Sequence, residues 1–230
     1  MRRVLTFPVV LVALVVVLTA AVRADACVAD KHGGLVCGEG TSAVRVFADT
    51  ISPSKQYAFA WRSPDGLPSG DDTPSSVENI LIRLSDGAVL TKLGGEYWAT
   101  GQMRANRYDL TAAWSPDSRA VIEVASSRWD SDSFAYYLLD GKTVTKIDLR
   151  ALVEPAMKAK LPARKRDGQA FRVREDLPVT LDARGHARFT AMVYVPKGEA
   201  SLDYKVQVDI APKNGKPAAR IVSMQRIKAD

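Results

Sequence analysis

The stretch that most constrains this chain is residues 110–126, LTAAWSPDSRAVIEVAS. It predicts a strand ending at Trp114, a tight turn at Ser115-Pro116-Asp117-Ser118, and a second strand over Ala120–Ser126. Pro116 presets φ at the second turn position, while Ser115 and Asp117 carry oxygens that can satisfy the turn's free backbone groups. The flanking residues are β-branched, aromatic or small, as a pleated and partly buried surface prefers.

The same order recurs along the chain. Residues 44–51 lead into Ser52-Pro53-Ser54-Lys55 and a strand over 57–61, followed by a polar loop at 63–76. A run over 79–84 then meets Asp86-Gly87, and residues 88–93 return. After residue 126 come a polar loop at 127–133, a run over 134–139, Asp140-Gly141, and a return over Thr143–Asp148. Asp-Gly between two such runs is a strong hairpin signal. A weaker third copy has 179–181, Asp182-Ala183-Arg184-Gly185, alternating runs at 187–195 and 204–210, Lys213-Asn214-Gly215, and a return over 218–226. Between 149 and 161 the period changes: Leu149, Leu152, Val153 and Met157 predict one short helix, which Pro162 stops. The expectation is an all-β fold of about a dozen strands. It forms a single domain over 43–230 with units at 43–94, 108–149 and 176–228 and one short helix between the second and third.

Trp114-Ser115-Pro116-Asp117-Ser118-Arg119 followed by an apolar strand resembles the Ser-Pro-Asp-Gly-Lys repeat of TolB-type β-propeller proteins. Residues 51–59 look like a degraded copy with Ser54 in place of the aspartate, and residues 181–185 lack the Ser-Pro pair. The resemblance implies propeller-like four-stranded antiparallel sheets, about three units. Closed propellers use about four to eight blades, so three units imply a partial propeller or sheets folded on one another as a sandwich.

The N-terminus bears on compartment. Met1-Arg2-Arg3 precedes an uncharged apolar run over 4–22 and the small-x-small site Ala24-Asp25-Ala26. These are the parts of a secretory signal peptide over 1–26, cleaved near Ala26; an uncleaved anchor and a lipoprotein at Cys27 are the alternatives. The expected location is periplasmic or secreted. Cys27 and Cys37 are the only cysteines, and in an exported chain they read as one disulfide pinning an N-terminal segment over 27–42. The first 26 residues carry Arg2, Arg3 and Arg23 against Asp25, so their removal lowers the formal charge from +6 to +4. That balance suits solubility rather than a polyanion partner.

Catalytic residue types are sparse. The two histidines are His32 and His186, and neither a Gly-x-Ser-x-Gly elbow nor a phosphate-binding glycine loop is present. Asp71-Asp72 and Asp130-Ser131-Asp132 lack the spacing and glycine of a calcium loop and read as solvated acids. No enzyme activity, cofactor or metal is expected. Trp129 between Arg128 and Asp130 on a polar loop is the nominated contact element, with capping of the core as the competing reading. The basic connection at 163–174 reads as a solvated face, and no nucleic-acid role is expected. The resulting expectation is an exported periplasmic interaction module of propeller-like type. Its partner would be another envelope protein or a second copy, with membrane contact only through an uncleaved signal segment. The alternatives are an envelope-polymer hydrolase or lyase using His186 with Asp182, and a structural subunit of an envelope complex.

Overall fold

The computed structural model describes residues 27–30, 34–68, 76–101, 103–141, 143–195, 201–213 and 216–227. The signal segment, His32 and Asp71-Asp72 lie outside them.

Each sheet is built by strands that follow one another in the chain, because short turns between alternating runs favour antiparallel neighbours. The first sheet is a six-stranded meander: β1 (Val28–Ala29), β2 (Leu35–Cys37), β3 (Val44–Val46), β4 (Tyr57–Arg62), β5 (Glu78–Arg83) and β6 (Val89–Lys92). A two-stranded hairpin, β7 (Ala99–Thr100) and β8 (Met103–Arg104), occupies the following connection. The second sheet runs β9 (Asp109–Trp114), β10 (Ala120–Ser126), β11 (Ser133–Asp140) and β12 (Thr143–Asp148). Helix α1 (Leu149–Lys158) follows directly, with the Asp148 carboxylate accepting from the Ala151 amide at 2.9 Å as its N-cap. Its apolar face buries Leu149, Val153 and Met157. The third sheet contains β13 (Ala170–Val173), β14 (Thr180–Leu181), β15 (His186–Tyr194), β16 (Ser201–Lys213) and β17 (Lys216–Arg226). Both β13 and β14 pair with β15, along different stretches of it.

The central position belongs to β10, all seven of whose residues are buried. One face of the second sheet, with Ile122, Val124 and Phe134, packs against Phe171, Phe189 and Val206 of the third sheet and against α1. The other face, with Val121, Ala125 and Tyr137, packs against Phe59, Trp61, Leu81 and Trp98. A strand enclosed on both faces reads as a near-continuous apolar run, which is what residues 120–126 show apart from Glu123 and the terminal Ser126. Trp61 and Trp98 are fully buried, and Trp114 anchors its indole N–H on the Thr50 carbonyl at 2.7 Å.

The propeller expectation fails here. The sheets hold six, two, four and five strands, and none closes or curls into a propeller blade. The TolB-type resemblance therefore describes a turn and does not extend to the architecture. The first sheet exceeds four strands because β2 pairs with β3 and β1 with β2, the Cys27–Cys37 disulfide tying those two added strands to each other. The basic connection is likewise not all loop. Phe171 and Val173 point into the core from β13, while Arg172 and Arg174 alternate outward.

Candidate functional site

Three tight turns are built alike. In the second sheet, the Ser118 amide donates to the Ser115 carbonyl at 2.9 Å and the Ala120 amide to Ser115 Oγ at 3.0 Å. In the first, the Lys55 amide donates to the Ser52 carbonyl at 2.8 Å and the Tyr57 amide to Ser52 Oγ at 3.1 Å. The turn at 182–185 uses a carboxylate instead: Asp182 Oδ1 accepts from the Arg184 and His186 amides, each at 2.9 Å. Gly185, at φ 84°, lies so close to β16 that a Cβ would come within 2.2 Å of the Ile210 carbonyl. The Gly185 carbonyl in turn accepts from the Ile210 amide at 2.9 Å.

Between the turns of the second and third sheets lies a cleft of about 280 Å³. Tyr136, Leu138, Ile210 and Pro217 give it apolar surface, and each sheet's turn contributes one arginine, Arg119 and Arg184. That volume is close to the lower end for ligand pockets, about 300 Å³, so it fits a small molecule or a head group.

The two acids beside these arginines are engaged within their turns. Asp117 Oδ1 accepts from the Ser115 hydroxyl at 2.6 Å, and this bond above all holds the carboxyl below its ordinary pKa. Asp182 is held low chiefly by the His186 amide, with the imidazole as a further partner. His186 Nδ1 lies 2.8 Å from Asp182 Oδ2, and its Nε2 lies 3.7 Å from Asp209 Oδ1. Arg220 pairs with the other Asp209 oxygen at 2.6 Å.

The nominated residues Arg128, Trp129 and Asp130 lie on the β10–β11 loop, away from this cleft. Trp129 is 41% exposed, with the Arg128 guanidinium 4.7 Å from its ring centroid. The loop itself is tightly held. Arg172 donates to the Ser127 and Arg128 carbonyls at 2.9 Å each, and the Tyr194 hydroxyl donates to the Trp129 carbonyl. Arg150 donates to the Ser131 carbonyl at 2.7 Å and pairs with Asp130 at 2.8 Å. Asp130 Oδ1 also accepts from the Phe171 amide at 3.2 Å. Asp130 is thus a structural member of the loop, and Trp129 is the side chain it presents.

Sequence reasoning passed over Glu123, the one charged residue in the β10 run. Its carboxylate is fully buried and accepts from the Gly94 amide at 2.5 Å, the Ser133 hydroxyl at 3.2 Å and the Tyr137 hydroxyl at 2.6 Å. Burial raises its pKa against the pull of these donors, and burial followed by the Glu123 charge raises that of Tyr137. An acid interrupting the apolar run over residues 120–125 was the available signal.

No family model matches this chain, and no curated protein matches it. Among the described residues no group of three or more His, Cys, Asp or Glu side chains could hold a metal ion. The propeller-type interaction module loses its basis with the propeller. The alternatives, an envelope-polymer hydrolase or lyase and a structural envelope subunit, gain no specific support from this geometry.

Proposed function

We propose that this chain is a small-ligand-binding domain whose site is the cleft between the second and third sheets. The observation that carries the reading is that two rigid, hydrogen-bonded turns from different sheets wall a small concavity with an apolar floor. Preformed walls lower the ordering cost of binding, and convergent polar groups beside apolar surface are what ligand pockets present.

Binding rather than catalysis is the role these side chains suit. The Ser115 hydroxyl is committed to Asp117 and to the Ala120 amide, which leaves it unsuited to act as a nucleophile. The His186–Asp182 pair has the geometry of a base and its orienting acid. Catalysis there would further require a nucleophile within reach of the imidazole.

The test is an amide-resolved NMR titration with a neutral fragment set, repeated on Ala211→Trp, which places a large ring at an exposed wall position. Binding should shift the amides of 117–119, 183–185 and 210–211 and be lost in the variant. Fragments that shift only other regions, or bind Ala211→Trp unchanged, would remove the cleft as the site.

A further inference from the structure

The polar groups of the cleft are unequal in what they have left to offer. Both Asp182 oxygens are occupied, Oδ1 by two amides and Oδ2 by His186. Asp117 Oδ1 is occupied by the Ser115 hydroxyl and the Arg119 amide. The guanidinium groups of Arg119 and Arg184 have no carboxylate within 4 Å among the described residues, unlike those of Arg62, Arg83, Arg150, Arg172, Arg174 and Arg220. Two arginines that line the cleft therefore keep guanidinium groups free of ion pairs, while three of the four neighbouring carboxylate oxygens are satisfied.

We infer that the ligand carries an oxyanion, a carboxylate or a phosphate, held between Arg119 and Arg184 with its apolar body on Tyr136, Leu138 and Ile210. The inference rests on the cleft being the binding site. A planar guanidinium matches both oxyanions through paired N–H donors, and such charge-assisted bonds are stronger than neutral ones. The formal charges of Arg119, Arg184, Asp117 and Asp182 cancel, so selection operates through directed donors and not through net potential. It should therefore persist when salt screens the long-range field.

The experiment compares benzoate, phenyl phosphate, benzyl alcohol and benzylamine on the full chain, each followed by the same cleft amide shifts in about 0.15 M salt. Benzoate or phenyl phosphate is expected to bind roughly tenfold tighter than benzyl alcohol, with benzylamine weakest. Which of the two anions is preferred identifies the oxyanion. Arg119→Gln and Arg184→Gln, both at exposed turn positions, should each bring benzoate and phenyl phosphate down to the affinity that the same variant shows for benzyl alcohol. Benzyl alcohol or benzylamine binding as tightly as both anions would overturn the oxyanion and leave the cleft standing. If no probe shifts the cleft amides, the cleft reading itself falls, and the oxyanion with it.

Discussion

The Ser54 amide donates to the Ser118 hydroxyl at 2.9 Å, joining two turns that lie 64 residues apart in the chain. Both turns place a non-glycine residue at φ 58°, Lys55 in one and Ser118 in the other. A left-handed conformation costs a non-glycine residue about 1–2 kcal/mol, whereas glycine's extra unfolded-state freedom costs about 0.5–1 kcal/mol. Lys55 is exposed, and relief of the left-handed strain outweighs the added freedom. Lys55→Gly should therefore raise stability by about 0.5–1 kcal/mol in urea unfolding. Ser118→Gly gains the same relief but gives up the bond to Ser54, worth about 1 kcal/mol, so it should be neutral or destabilising. A stabilisation from Ser118→Gly equal to that from Lys55→Gly would show that the inter-turn bond contributes nothing.

Gly185 tests the opposite case. Its φ of 84° disfavours a side chain, and an added Cβ would meet the Ile210 carbonyl at 2.2 Å. That carbonyl belongs to the strand that the Gly185 carbonyl itself holds, so neither side can withdraw cheaply. Gly185→Ala should cost about 2–4 kcal/mol and shift the amides of residues 209–211. A melting temperature within a degree of the parent would mean that the turn relaxes without strain.

These turns were legible because their chemistry is local. A serine or aspartate at the first position and a proline or small residue next encode hydrogen bonds that span only five residues, whatever stands at the left-handed position: Lys55, Ser118 or Gly185. The helix was legible for a similar reason, since Leu149, Val153 and Met157 repeat on one face. What packs on each sheet was not legible, because an alternating run says which residues share a face and nothing about the layer that covers it. The repeated turns suggested blades, yet the sheets lie in layers around β10. Residues 170–173 escaped notice because Arg172 and Arg174 gave the segment the look of a solvated connection, although Phe171 and Val173 alternate with them. The cleft was invisible for a tertiary reason: its two turns lie more than sixty residues apart and meet only through the packing of two sheets.

Glu123 makes stability depend on pH in a defined direction. Its folded pKa is raised above the ordinary value of 4.5, so the native state holds the proton to higher pH than the unfolded chain does. The native state then binds more protons across that window, and stability falls as pH rises from about 4.5 through the raised value. Glu123→Gln can still accept from the Gly94 amide and can donate to the Ser133 and Tyr137 hydroxyls, so it should fold and lose this slope. Glu123→Leu leaves the buried Tyr137 hydroxyl and the partly buried Gly94 amide without their partner and should cost about 1–3 kcal/mol. Urea midpoints measured every half unit from pH 4 to 8 decide the matter. Parallel profiles for the parent and the Gln variant would mean that Glu123 titrates as an ordinary carboxylate.

The β10–β11 loop separates presentation from support. Trp129 is 41% exposed, whereas the loop carrying it is held by Arg150, Arg172 and Tyr194 through backbone carbonyls. Trp129→Ala removes mostly solvent-facing surface and should change stability by less than about 1 kcal/mol. Arg150→Ala removes the donor to Ser131 and the partner of Asp130 and Glu154 at once. A buried-side carbonyl and two carboxylates then lose a charged partner, and the expected cost is about 2–3 kcal/mol. Hydrogen exchange should show the difference in place: amides of residues 127–133 and 171–173 exchange faster in Arg150→Ala and at parent rates in Trp129→Ala. If Trp129→Ala unfolds the domain, the ring belongs to the core and not to the surface. If it leaves the fold intact, the ring is a presented surface side chain on a loop whose rigidity comes from Arg150, Arg172 and Tyr194.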